Sequence, residues 1–363
     1  MRSKSISAAT GAAVAVVMAG CAAIGPRAVR SDRVDYNIAG QQTSNEQLLL
    51  NLVRLRYRDT PYFLEVVNIS TSLSLSGSAN ASAAIPEAQS HSYGLGTGLS
   101  YTEQPTITYS PLQGDQFVKQ LLSPVDLDTI LLLYYSGWSV ERIFRVCVQS
   151  VNDVKNAPSA SGPTPDYVPQ YKEFLEVARL LRSLQLNGML DMGRTESRGQ
   201  GPSTIEIRIA EQALGSYEAQ QLFKLLNLKP KHGYFPLTTE IGTDGEQHIS
   251  VVLRSLLASM FYASQSVKVP PEDEQRGLVT VSRDADGQAF DWCNVIGGLI
   301  DIHWAKHRPS SAYVAVHYRG TWFYIDDSDL TSKSTFSLLT QLFALKSGQI
   351  KSVGPILTLP VGQ

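Results

Sequence analysis

The sequence predicts an α+β protein: a helical N-terminal half carrying a Ser/Gly-rich β-hairpin insertion, followed by a mixed α/β C-terminal half. Three observations carry this. Between residues 43 and 154, apolar positions recur at helical spacing in blocks divided by Pro61, Pro124 and Gly137. Residues 66–102 switch to strict alternation, the period of a strand. Beyond residue 170, helix-type and strand-type segments follow one another in mixed order without an internal repeat, which argues for α+β rather than a solenoid.

The boundaries follow from composition. Residues 1–20 form an export signal, 21–42 a polar tether, 43–155 a helical region with the hairpin at 66–102, 156–169 a Pro/Gly/Ser linker and 170–363 an α+β domain. Hydrophobic content of 43% supports a packed core, and a net charge of −2 gives no basic balance for nucleic acid.

Arg2 and Lys4 precede an apolar run from Ile6 to Val17, too short to span a bilayer, which ends in Met18-Ala19-Gly20-Cys21. This ending resembles the lipobox of bacterial lipoproteins. The resemblance implies cleavage before Cys21, diacylglyceryl transfer to its sulfur and acylation of its new amino group. Several acyl chains together hold a protein durably on a bilayer. Ala22 at the second mature position, by the same resemblance, implies sorting to the outer membrane with the body mainly periplasmic.

Thr43 with Glu46, or Ser44 with Gln47, offers a capping box, and Leu48, Leu49, Leu52, Val53 and Leu55 give the helix its apolar face. Arg54, Arg56 and Arg58 crowd its last turn, where the dipole favours cations, and read as a solvated end. The stretch Asn45 to Asp59, and Tyr318-Arg319-Gly320-Thr321-Trp322-Phe323-Tyr324-Ile325-Asp326-Asp327, resemble those of a family of predicted bacterial lipoproteins with no assigned function.

In the hairpin, Val67, Ile69, Thr71, Leu73 and Leu75 alternate with Asn and Ser, and Tyr93, Leu95, Thr97, Leu99 and Tyr101 alternate with Gly, Ser and Thr. Leu73, Leu75, Tyr93, Leu95, Leu99 and Tyr101 are the candidates for a membrane-facing surface, since a stretch of about nine residues between tyrosines matches an outer-membrane barrel strand. One hairpin cannot span lipid with its edges unpaired, so this requires several copies.

Further helices are expected over Asp115–Leu122, Asp126–Tyr135, Ser139–Val154, Gln170–Leu186, Tyr217–Leu226, Ile249–Tyr262 and Ser334–Leu345. Strands are expected over Thr204–Ile209, Leu278–Ser282, Tyr313–His317, Thr321–Ile325 and Ile356–Leu359, with Pro270–Glu274 a solvated loop.

No G-x-S-x-G elbow, Walker loop or H-E-x-x-H helix occurs. His303 and His307 read as a solvated pair with no ligand set to complete a metal site. Cys147 lies on a helical apolar face and reads as a structural thiol. Ala312 to Val316 followed by Gly320 to Asp326 resembles the transglutaminase-like hairpin, which implies a Cys–His–Asp set. Asp326 matches; Ser311 stands at the His position, and Cys293 and His317 are the remaining candidates. The expectation is a non-catalytic structural, binding or assembly component of a cell-envelope complex, with no cofactor or metal. Its partners are the bilayer, through acylated Cys21, and other envelope proteins or further copies. Two alternatives stay open: an oligomeric outer-membrane pore donating the hairpin, and a transglutaminase-like cysteine enzyme, active or degenerate.

Overall fold

The computed structural model describes residues 33–84, 92–163, 167–195, 203–240, 247–348 and 357–360. Cys21 and the expected export signal at residues 1–20 lie outside the described residues. Helix α1 (33–56) is followed by strands β1 (Phe63–Ala84) and β2 (Ser92–Leu112), then helices α2 (Asp115–Leu122), α3 (Leu127–Tyr135) and α4 (Val140–Cys147). Next come β3 (Val148–Val151), β4 (Val154–Lys155), α5 (Lys172–Leu186), β5 (Leu190–Thr195), β6 (Thr204–Ile209) and α6 (Tyr217–Leu225). Strands β7 (Tyr234–Thr238) and β8 (Ile249–Leu253) precede α7 (Leu256–Ser264), α8 (Pro271–Gln275) and α9 (Cys293–Ile296). The chain closes with β9 (His303–Ala305), β10 (Ala312–Tyr318), β11 (Thr321–Asp326), α10 (Leu330–Ser347) and β12 (Leu357–Pro360). The architecture is α+β. Of the described residues, those up to Pro61 with Leu122–Ala344 form one compact unit, and Tyr62–Leu121 with β12 form a second.

In the first unit a six-stranded sheet runs β4-β3-β8-β7-β6-β5, antiparallel except for the β7–β8 pair. Helix α5 buries Phe174, Val177, Ala178 and Leu181, its apolar stripe. It stops at Asn187-Gly188, where Gly188 takes φ 65° and the Met189 amide bonds back to Leu184. A second sheet, β10-β11-β9, is turned by Arg319 and Gly320, both at positive φ, as a two-residue hairpin turn requires. Helix α1 meets this sheet through Tyr57, edge-on to Tyr318 at 6.0 Å and Phe323 at 6.1 Å. Tyr313 of β10 stands edge-on to Phe336 of α10 at 6.2 Å.

Several elements differ from expectation. Helix α1 begins ten residues before the expected cap, so Thr43 and Ser44 sit inside it, their hydroxyls bonding back to Ala39 and Gly40 carbonyls. The helix expected over Ser139–Val154 ends at Cys147, and Val148–Val151 instead pairs with β8. Burial on both faces of β3 erased the period-2 signal. The helix expected over Ile249–Tyr262 is a strand then a helix, divided at Ser255, whose hydroxyl caps α7 by accepting the Ala258 amide at 3.0 Å. Pro270–Glu274 contributes to the short helix α8, with proline in its first turn. Leu278–Ser282 joins no ladder. Residues 156–161, read as linker, pack inward: Asn156 and Ala160 are fully buried.

In the second unit β1 and β2 pair antiparallel over 21 register positions, from Phe63↔Leu112 to Ala84↔Ser92, with a bulge between Val66 and Asn68. At about 3.4 Å per residue this hairpin is roughly 70 Å long, about twice what the alternation at 66–102 suggests. Its base is fixed by Phe63 against Phe117, edge-on at 5.9 Å. The sheet order is β1-β2-β12, with β12 covering the outer edge of β2 only at Thr106–Tyr109.

Candidate functional site

A cleft of about 430 Å³ in the first unit lies between residues 265–269, α9 with its following loop, and the start of α10. Its floor is Trp292, buried and donating from Nε1 to Ser282 Oγ at 3.1 Å. The loop after α9 is fastened from behind. Arg145 of α4 donates to the carbonyls of Val295 at 3.1 Å and Gly297 at 2.8 Å.

The cations of this wall are engaged. Lys268 Nζ lies 2.7 Å from Asp301 Oδ2, which is also 3.5 Å from His303 Nε2. Arg56 donates to the carbonyls of Val267 at 3.3 Å and Thr280 at 2.9 Å, and burial lowers its pKa. For Arg56 this corrects the expectation of a solvated helix end, whereas Arg58 is exposed as expected. An arginine stem covers apolar surface while its fork satisfies carbonyls, and sequence alone does not show which way it folds.

Cys293 opens α9 at the cleft edge and is exposed; its backbone N–H donates to Asp291 Oδ1 at 2.8 Å. His317 stacks against Trp322 at 5.3 Å on the β10–β11 hairpin. Asp326 accepts from Ser311 Oγ at 2.9 Å and from Ser328, whose bonds hold its carboxyl below the usual range, helped by Ser311. Ser311 therefore makes, from the position the transglutaminase-like resemblance gives to histidine, a bond to the matching aspartate. No hydrogen bond joins Cys293, His317 and Asp326 among the described residues. A thiol needs an imidazole within hydrogen-bond reach to act as an activated nucleophile. His303 and His307 are not on a helix: His303 opens β9 and stacks on Tyr324 at 5.6 Å. Among the described residues no three His, Cys, Asp or Glu side chains are grouped to hold a metal.

Two features escaped sequence reading. Arg254, fully buried, donates to the carbonyls of Arg145 at 3.1 Å, Val148 at 2.9 Å and Asn156, and to Ser161 Oγ at 2.9 Å. Its guanidinium lies over the Tyr262 ring at 4.0 Å. Burial lowers its pKa to about 10, and the α4 C-terminal carbonyls supply the negative potential that keeps it charged. Beside it, Cys147 is fully buried and its thiol is pushed up to about 12 by desolvation. The second feature is that both stretches quoted for the lipoprotein resemblance meet. Asn45 donates to Tyr313 at 3.1 Å, and Tyr318 and Arg319 donate to Asp59 at 2.6 and 2.8 Å. Burial opposes ionisation of Asp59, and those two bonds outweigh it and lower its pKa. Tyr57 donates to buried Asp273 at 2.6 Å, and burial with this bond raises its pKa.

In the second unit the register pairs Leu73↔Glu103, Leu75↔Tyr101, Gly77↔Leu99, Ala81↔Leu95 and Ala83↔Tyr93. The side chains of the six membrane-face candidates Leu73, Leu75, Tyr93, Leu95, Leu99 and Tyr101 lie outside the described residues. Nearer its base, Val66, Val67 and Ile69 are 41%, 49% and 38% exposed. Compared with protein-family profiles, curated proteins and solved structures, the chain matches none.

Proposed function

We propose that this protein is an assembly component of a bacterial cell envelope, anchored in the outer membrane through lipidated Cys21, whose β1–β2 hairpin joins neighbouring copies edge to edge. The observation that carries this is the hairpin's length against its width. Among the described residues β1 stands at the edge of its sheet, the hairpin ladder runs over twenty-one register positions, and β12 pairs with β2 at four. Such an edge is a row of backbone donors and acceptors placed to pair with another strand. The outer edge of β1 and the edge of β2 beyond β12 are different surfaces, so pairing between them is heterologous and closes into a ring when the rotation permits. The lipobox resemblance at Met18–Cys21 supports the anchor, and the composition supports a partner other than nucleic acid.

The test is to shorten the hairpin by joining Glu65 to Ser110, a cross-strand pair, through a short Asn-Gly turn. Full-length protein extracted in mild detergent is expected to run as a multi-copy particle and the shortened form as a monomer, both in the membrane fraction. Cys21→Ser is expected to release the protein from that fraction. A monomeric wild type would overturn the assembly, and unchanged fractionation of Cys21→Ser would overturn the anchor.

A further inference from the structure

We propose that a groove on the first unit, formed where two clefts share the ring of Phe290, binds an uncharged oligosaccharide. Neither the lipid anchor nor edge assembly is needed for it.

Phe290 stands at the end of a braced loop. Its amide donates to the Ser282 carbonyl at 2.8 Å, and Trp292 donates to the hydroxyl of the same serine. At the loop tip, Asp284 Oδ1 accepts the amides of Asp286 and Gln288 at 3.1 and 2.8 Å. Arg283 donates to the Gly287 carbonyl at 2.8 Å. A loop held this way presents its ring with little ordering cost on binding. Phe290 lines the cleft of about 430 Å³ described above and also a second, of about 520 Å³, beside Tyr171 and Lys172. Both fall in the size range of small-molecule sites, about 300–1,000 Å³. Tyr171 stands edge-on to Phe290 at 5.9 Å, and Phe290 edge-on to Trp292 at 5.3 Å, so three rings link one cleft to the other. Tyr171 and Phe290 are half-buried, which leaves part of each open to a ligand.

The charges select the ligand class. Glu274, Asp291, Asp301 and Asp329 line the first cleft against two cations, Arg56 and Lys268, both engaged as described above. In the second, Asp153, Glu173 and Asp284 outnumber Lys155 and Lys172. An acidic excess disfavours phosphates, carboxylates and acidic polymers. It favours a ligand rich in hydroxyl or amide donors. Gln265 of the first cleft points the same way: it is 7% exposed, and its Oε1 has no hydrogen-bond partner among the described residues. A donor entering the cleft would satisfy that acceptor. A pyranose meets both demands, since its C–H faces are apolar and its rim carries hydroxyls. An extended peptide fits less well. In the wall, the Lys268 amide already bonds to the Ile302 carbonyl at 2.9 Å and the Ile302 amide to the Ser266 carbonyl at 3.4 Å, so this segment offers no open strand. A compact amine would fill one cleft, whereas a chain of rings occupies two joined by an aromatic row.

The experiment uses full-length protein in a polyoxyethylene detergent, which has no sugar headgroup to compete. It is titrated calorimetrically with the tetrasaccharides of N-acetylglucosamine and of glucose, and with spermidine. At least one tetrasaccharide is expected to bind with a millimolar or lower Kd. Phe290→Ala should weaken that binding about tenfold or more, and Tyr171→Ala and Gln265→Leu, one in each cleft, severalfold each. Resistance of Cys147 to a maleimide reports a folded unit in every variant. Should Phe290→Ala lose that resistance, Phe290→Leu replaces it, keeping apolar volume without the flat ring. Absence of tetrasaccharide binding, with or without binding of spermidine, would overturn the proposal. Binding that survives the Phe290 variant, or that responds to only one of the two flanking variants, would overturn the joined groove.

Discussion

Around Arg254 and along β1 the chain meets the same difficulty, backbone groups without a ladder partner, and resolves it in opposite ways. In the first unit a single guanidinium gathers the carbonyls of Arg145, Val148 and Asn156, where a helix end, a strand start and a buried loop converge. No carboxylate is spent on it: carbonyl dipoles and the Tyr262 ring hold the charge. These carbonyls are satisfied within the unit by a side chain of its own. In the second unit, among the described residues, β1 is an edge strand and the apolar Val66, Val67 and Ile69 are exposed. A two- or three-stranded ribbon of this length buries too little surface to hold itself rigid. The contrast teaches where each unit's stability comes from: the first from its own core, the second, in the assembly proposed above, from neighbouring copies.

The largest effect expected to sharpen this contrast is at Arg254. Arg254→Met fills the volume but leaves several buried carbonyls without donors, at about 1–3 kcal/mol each. The urea midpoint should fall by an amount equivalent to about 3 kcal/mol or more. The hairpin-shortened variant should by contrast unfold within about 0.5 kcal/mol of wild type when measured by probes of the first unit. A large loss there would show that the two units support each other and would break the comparison.

Next in size is Tyr57→Phe, which leaves buried Asp273 without its 2.6 Å donor and should cost about 1–3 kcal/mol, read by denaturant unfolding. A smaller, pH-dependent effect is expected at Asp59. Its folded pKa is depressed, so its contribution is present above the ordinary carboxylate range and is lost as pH falls through the folded value. Asp59→Asn should therefore narrow the gap between stability at neutral pH and at acid pH. An unchanged acid limb would show that Tyr318 and Arg319 do not stabilise the charged form. The smallest change concerns thiols. In native protein, Cys293 should alkylate and Cys147 should resist until the unit unfolds, because one is exposed and the other fully buried.

The α+β class was legible because its signals are local. Turn chemistry at Arg319-Gly320, the Asn187-Gly188 stop and the alternation of β1 and β2 each sit within a few residues. Val148–Val151 was read as helix because a strand buried on both faces loses its period, and Ile249–Leu253 because this short strand runs directly into helix α7; their mutual pairing identifies both. Arg254 was invisible for a different reason. Its partners are backbone carbonyls, which every residue carries, so no pattern of side chains announces them. The hairpin was legible as two alternating runs, the second reaching Tyr101. Its true length was not, because Pro105 interrupts the alternation before the ladder ends at Leu112.

The most direct test of edge assembly is a pair of adjacent prolines on β1, made separately. Successive residues of a strand direct their amides to opposite sides, so of Ser74 and Leu75 one serves the β1–β2 ladder and the other the free edge. Proline removes the amide and blocks pairing on that side alone. Protease resistance of the hairpin and the mass of the detergent-extracted particle are measured for Ser74→Pro and Leu75→Pro. Edge pairing requires one of the two to keep a protected hairpin and yet run as a monomer. If the variant with the intact hairpin assembles as wild type does, the free edge of β1 is not what joins the copies.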